Sequence, residues 1–184
     1  MALLAPSLRR GNLGAGGALF PPGKGGGEAV AYGYKGKGIL IHTITEGNGM
    51  PVANRTTAAN GSEREQILPL LDSIKIQTGK PGRPRCRFSV LAADKGYDSH
   101  EKRSQLRKRG IRPQFPKRVY KSKKHLGRPI KNDTPRFQQE RCFAWYQKKY
   151  RRLVVRWERQ SSVFDGFLAL GMIHIWMNKI ILVG

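Results

Sequence analysis

Two carboxylates stand where acidic residues can do chemistry. Asp94 closes the apolar run Phe88-Ser-Val-Leu-Ala-Ala and is followed by Lys95-Gly-Tyr-Asp98. Glu140 lies downstream in Arg136-Phe-Gln-Gln-Glu140-Arg141, inside a strongly basic stretch. A carboxylate at the end of a buried strand, beside a glycine turn, can hold a divalent cation, and an acid on a nearby helix can share it. The pair points to metal-dependent chemistry on a polyanion, provided that a strand and a helix bring the two together.

The overall charge names the polyanion more firmly than the fold. The 184 residues fit one domain with a modest core. They carry 35 Lys and Arg against 12 Asp and Glu, a formal +23, with an isoelectric point near 10.8. Such a surface attracts phosphate backbones through counterion release, whatever their sequence. A generic basic nucleic-acid binder has the same charge, so charge alone does not choose between it and an enzyme. Most of the excess falls between residues 101 and 160, where the acids are Glu101, Asp133, Glu140 and Glu158. There Lys121, Lys123, Lys124, Lys148, Lys149, Arg151, Arg152, Arg156 and Arg159 are interleaved with Tyr146, Tyr150 and Trp157. That density favours phosphate contact over a merely solvated face. Trp145 and Trp157 read as core residues.

Other chemistries find little support. Cys86 and Cys142 form no paired motif, so a zinc site or a disulfide framework is not indicated, and a reducing cytoplasm fits. His42, His100, His125 and His174 have no ligand-like spacing. Met1-Ala-Leu-Leu-Ala-Pro is a short apolar start followed by Arg9-Arg10, the wrong charge order for a secretory signal. The apolar run Gly166–Asn178 has 13 residues, short of the roughly 20 that cross a bilayer. It reads as a buried amphipathic or core helix rather than a membrane span, and no membrane partner is expected.

The elements that must position the two acids can be read in outline. Residues 1–27, rich in Gly, Pro and Ala, read as an irregular or disordered lead-in, with Gly23-Lys-Gly-Gly-Gly27 a flexible turn and not a phosphate loop. Ile39–Ile44 reads as a strand, Glu46-Gly-Asn-Gly49 as a hairpin turn, and Met50–Thr57 as its partner. Ser62-Glu-Arg-Glu65 has the form of a capping box before a helix with Ile67, Leu68, Leu71 and Ile74 on its buried face. Phe88–Ala93 reads as a buried strand, Asp98 as a helix cap, Gly110 as that helix's stop, and Ile111–Pro116 as a short edge strand. Lys117–Lys131 is a basic loop. Thr134-Pro135 opens a helix to about Tyr150, Leu153–Trp157 is extended or helix-terminal, and Phe164–Ile181 is a final helix. This order is a mixed α/β domain.

A set of short motifs in this order resembles a known family. They are Gly33-Tyr-Lys-Gly-Lys-Gly38 before a strand with His42, Gly49-Met-Pro51, Thr56-Thr-Ala-Ala-Asn60, Ala93-Asp94-Lys-Gly-Tyr-Asp98, Glu140-Arg-Cys-Phe-Ala-Trp145 and Tyr150-Arg-Arg-Leu153. Over roughly residues 23–180 the chain is similar to insertion-sequence transposases of the IS5/IS4 type, in the DDE superfamily. The resemblance implies a ribonuclease H-like mixed sheet flanked by helices, here spanning 28–184 and incomplete at its N-terminus. It also implies DNA as partner, in the cytoplasm and on the nucleoid of a bacterial cell, with oligomerisation or co-assembly with an intact transposase. In that family two aspartates and a glutamate bind two metal ions, magnesium or manganese, for attack on a phosphodiester. Asp94 matches the second aspartate and Glu140 the glutamate, as catalytic and metal-binding residues. Arg136 matches the arginine of the Tyr-x2-Arg-x3-Glu signature, and with Arg141, Lys148, Lys149, Arg151, Arg152, Lys121, Lys123 and Lys124 it is expected to contact DNA.

The chain departs from the family pattern in three places. Asp133 stands for the signature tyrosine. Gln147 stands for a lysine, with Lys148 one step, about 100°, further round the helix. The first aspartate is missing: the corresponding stretch is Gly16-Gly-Ala-Leu-Phe20-Pro-Pro-Gly-Lys, with no acid, and Glu28 is the nearest carboxylate. The expectation is a transposase remnant that attracts DNA, holds metal weakly if at all, and is defective in strand cleavage. A non-catalytic DNA-binding derivative that regulates an intact relative is the alternative.

Overall fold

A computed structural model describes residues 13–75, 88–116 and 136–183. Its frame is a six-stranded mixed sheet of β1 (Leu13–Leu19), β2 (Ala31–Gly33), β3 (Gly36–Glu46), β4 (Pro51–Ala58), β5 (Val90–Ala93) and β6 (Arg112–Gln114). The strand order is β2-β3-β1-β5-β6, with β4 also paired to β3. β3 lies antiparallel to β1 and β4, whereas β1, β5 and β6 run parallel. The helices are α1 (Ile67–Ser73), α2 (His100–Lys108), α3 (Arg136–Lys149), α4 (Arg151–Val154) and α5 (Ser161–Val183). An antiparallel meander joined to parallel strands and flanked by helices is the ribonuclease H-like class that the sequence led us to expect.

The sheet buries both faces. β3 sends Ile39 and Ile41 to one side and Ile44 to the other, as a period of two requires. One side packs Ile67, Leu70 and Leu71 of α1 with Leu91, Leu106, Ile111 and Phe115. The other packs Cys142 and Tyr146 of α3 with Leu153, Phe164 and Leu168. Burial pushes the Cys142 thiol up to about 12, so it stays a protonated packing group.

The main correction concerns β1. The irregular lead-in expected over residues 1–27 does not describe 13–19, which form a strand between β3 and β5. Leu-Gly-Ala-Gly-Gly-Ala-Leu has no alternation to read, and glycine and alanine are weak strand formers. Close packing holds it instead. A Cβ on Gly14 would come within 2.7 Å of the Phe88 ring.

Two helix starts also differ in detail. Ser62 makes no side-chain cap; a 3-10 turn, Glu63–Gln66, precedes α1. Glu65 reaches the Lys102 ammonium at 2.6 Å instead of closing a capping box. Ser99 caps α2 by accepting from the Lys102 N–H, while Asp98 pairs with Arg103 at 2.6 Å. Residue 98 therefore lies one position before the cap.

α5 carries apolar residues on both its inner and its outer side. Phe164, Leu168 and Ile175 face the core, while Leu170, Ile173 and Met177 on its outer side are half or more exposed. No helix among the described residues is long and apolar enough to cross a membrane.

Candidate active site

The site begins with strand register. Gly16 of β1 lies opposite Ala93 of β5 in the parallel pair, so Gly17, still inside β1, stands level with Asp94, the residue that follows β5. Asp94 then starts a 3-10 turn, Lys95–Tyr97, and its carboxylate accepts the Lys95 N–H at 2.5 Å. That turn aims the chain away from the sheet and leaves Asp94 exposed at its end.

α3 supplies the facing wall. Cys142 and Tyr146 bury its inner side, which turns Gln139 and Glu140 toward β1. The Thr45 hydroxyl donates to Gln139 Oε1 at 3.1 Å, fixing this turn of the helix to β3. Between these walls lies a cavity of about 290 Å³ that has both Asp94 and Glu140 in its lining. The two acids are thus brought to one site. Gly16, Gly17 and Ala18 form the floor between them. A Cβ on Gly17 would point at α3, 3.0 Å from Gln139 Cγ and 3.4 Å from Phe143.

Four further residues belong to this site, and sequence reasoning missed them in that role. Glu63 and Lys35 line the cavity, as do Tyr97 and Gln139. Desolvation raises the Glu63 carboxyl above its usual range, with the Asp94 charge adding to it; Lys35 and a hydrogen bond from Tyr97 oppose the rise. The Tyr97 phenol is pushed well up by burial and by Glu63. Gln139 Nε2 is buried and has no hydrogen-bond partner among the described residues. Glu63 reads as part of a cap in the sequence, and nothing in its spacing from Asp94 marks it otherwise. Lys35 sits in a glycine-bounded turn, a signal that was available.

Glu28 does not reach the cavity. Its Oε2 accepts the Ser161 N–H at 2.9 Å, at the first turn of α5, where a carboxylate meets unpaired amides. Among the described residues no group of three or more His, Cys, Asp or Glu side chains could hold a metal ion. Asp94, Glu63 and Glu140 all line the cavity but do not form such a group, so the residues present do not fit the metal pair that the resemblance implies.

The expected DNA contacts divide. Lys148, Lys149, Arg151 and Arg152 are exposed on the end of α3 and on α4. Arg152 pairs with Glu158 at 3.2 Å and lies over the Phe167 ring. Arg141 stacks over Trp145 at 5.1 Å and donates to the Asn48 carbonyl. Arg136 is the first residue of α3, while Lys121, Lys123 and Lys124 lie outside the described residues, as does Asp133. Arg156 is a correction: it is buried, donating to the carbonyls of Glu158 and Arg159 and to Ser161 Oγ, with its guanidinium over Phe164. It ties the α4–α5 connection together and is not available to phosphate. Tyr146, in the interleaved aromatic set, is buried as well, and Trp157, expected in the core, is 56 % exposed.

Residues 19–176 match the transposase DDE domain family. A putative transposase for insertion sequence element IS402 from Burkholderia cepacia is 39 % identical over 143 residues, which make up 78 % of this chain and 64 % of that protein. The chain thus matches somewhat less than two thirds of that relative's length.

Proposed function

The chain belongs to the transposase DDE domain family, and from that premise we propose that it binds DNA for transposition through a site short of one carboxylate. The observation that carries this is a single one. Asp94 and Glu140 line one cavity, and the residue level with Asp94 on the adjacent parallel strand is Gly17. In this reading Asp94 and Glu140 are the two acids retained from the family's set, and residue 17 is the place of the first aspartate. Gln139 Nε2, buried beside that place without an acceptor, supports the assignment, because a carboxylate there would give it one. Every ligand of a site built for developing charge must be fixed. With two acids, magnesium or manganese binds weakly and no cleavage step is assigned to this chain. Arg141, Lys148, Lys149, Arg151 and Arg152 hold the phosphate backbone without reading bases, and Arg136, Lys121, Lys123 and Lys124 are proposed as further DNA contacts on the strength of the sequence.

The test compares the chain with Gly17→Asp, in plasmid nicking and in calorimetric titration with Mn²⁺. The unmodified chain should not nick. Gly17→Asp should gain Mn²⁺ affinity and metal-dependent nicking, both lost again when Asp94→Ala or Glu140→Ala is added. Nicking by the unmodified chain that Asp94→Ala abolishes would refute the deficit. Unchanged Mn²⁺ affinity in a folded Gly17→Asp would refute the placement. Binding to any duplex should weaken steeply as salt rises, and a salt-independent affinity would dismiss the basic surface.

The same missing acid favours a second reading, in which the chain is a non-catalytic derivative that co-assembles with an intact transposase or competes with it for DNA. Mixing the two and measuring transposition separates the readings, since suppression supports the second.

A further inference from the structure

The turn between β2 and β3 is two residues long. Gly33 pairs with Gly36, leaving Tyr34 and Lys35 at the tip. The turn is pinned at its base: a Cβ on Gly33 would fall 2.2 Å from the Ala59 carbonyl oxygen, the Gly23 N–H donates to Lys37 O at 3.1 Å, and Pro22 bridges to Gly38. Gly36 takes a φ of +111°, which closes the tip in a conformation open to glycine.

On this fixed tip the two side chains diverge. Lys35 lines the cavity that holds Asp94 and Glu140. Among the described residues nothing covers Tyr34, whose relative exposure is 104 %. Its neighbour Tyr32 is also largely exposed, with the Lys37 ammonium 5.9 Å from its ring. A bare phenol on this turn buries no apolar surface against the described residues. Lys35 is its neighbour on the tip and Lys37 lies over the adjacent Tyr32 ring, so the hairpin is cationic, which suits a ligand that is flat and anionic together. An unpaired nucleobase on its phosphate backbone has that chemistry, and base–aromatic stacking beside a basic track is how sequence-tolerant single-strand contacts are made.

We propose that Tyr34 is a nucleobase-stacking residue, which receives an unpaired DNA base while Lys35 draws the adjoining phosphate to the mouth of the cavity. This rests on the reading of the cavity as a DNA site, and it names the form of DNA that the site takes. Stacking positions the strand; Tyr34 touches no reacting atom in this role.

The test uses the full chain, a labelled single-stranded oligonucleotide carrying 2-aminopurine, and the fully paired duplex of the same sequence, at fixed low salt. Tyr34→Ala should weaken single-strand binding about tenfold, as the loss of one stacked base predicts, and should abolish the quenching of 2-aminopurine. Tyr34→Phe should keep both, because the ring stacks and the hydroxyl does not. Duplex affinity should be the same in all three. Circular dichroism confirms that each variant is folded, which the exposure of the side chain leads us to expect. Equal loss on single strand and duplex, no loss on either, or Tyr34→Phe behaving as Tyr34→Ala overturns the stacking role and leaves the DNA reading intact. An unmodified chain that binds neither form overturns both.

Discussion

β1 and β5 lie side by side, run the same way and end at the same cavity, yet they are built on opposite plans. β5 is held by bulk. Leu91 is fully buried in a cluster with Leu106, Ile111 and Phe115, and the strand delivers a carboxylate at its end. β1 is held by closeness. Its glycines admit the Phe88 ring, Gln139 and Phe143 to the backbone, and at residue 17 it carries a hydrogen atom where its neighbour carries Asp94. The contrast teaches that a ribonuclease H-like sheet can keep its centre with a strand made mostly of glycine and alanine.

Substitutions can break or sharpen that contrast. Leu91→Ala removes bulk from the strand that depends on it, and should lower unfolding free energy by about 2–5 kcal/mol in urea denaturation. A loss near zero would mean that β5 is not anchored by its side chains.

The next effect concerns β1's other neighbour. His42, opposite Ala18, is fully buried, and burial, with Arg55 nearby, lowers its imidazole to about 4 from 6.5. Below pH 6.5 the unfolded chain takes up a proton that the folded chain refuses until about pH 4. Stability is therefore lost as pH falls through that window, by roughly 3 kcal/mol in full. Glu46 and Glu63, raised by burial, have the opposite sign and gain stability as they take protons. The quantity to measure is therefore the difference in urea midpoint between the chain and His42→Gln across pH 7 to 4, which should shrink or reverse on the acid side.

Smaller effects separate the glycines of β1. Gly14→Ala forces a methyl against the Phe88 ring and should cost about 1–3 kcal/mol. Gly17→Ala meets the flexible Gln139 side chain at 3.0 Å. Its steric cost is offset by the entropy removed from the unfolded chain, so a net change below about 1 kcal/mol is expected. Thermal melts of both variants decide the matter. Equal losses would show that residue 17 is as tightly enclosed as residue 14 and has no room for a carboxylate.

Much of the frame was legible because its signals are local. Asn48-Gly49 predicts the β3–β4 turn, where Gly49 has a φ of +83° and the Glu46 side chain accepts from the N–H groups of Asn48 and Met50. The apolar run before Asp94 predicts β5, and the Thr134-Pro135 start of the basic segment with Phe143 and Trp145 predicts α3. β1 stayed hidden because periodicity is a property of side chains and this strand has only glycine and alanine between its two terminal leucines. Arg156 and Trp157 were misread for a related reason: composition gives the average fate of a residue type, while three acceptors around one guanidinium reverse it. Glu63 and Gln139 entered the site through partners far along the chain, such as Thr45 for Gln139, and no spacing rule joins those segments before the sheet does.

The bare floor at residue 17 also has a meaning at the level of the gene. Every glycine codon becomes an aspartate or glutamate codon through a G-to-A transition at its middle base. An acid side chain at this position is therefore the commonest class of point mutation away, in a lineage whose cavity walls, neighbouring strand and helix already stand in place around it.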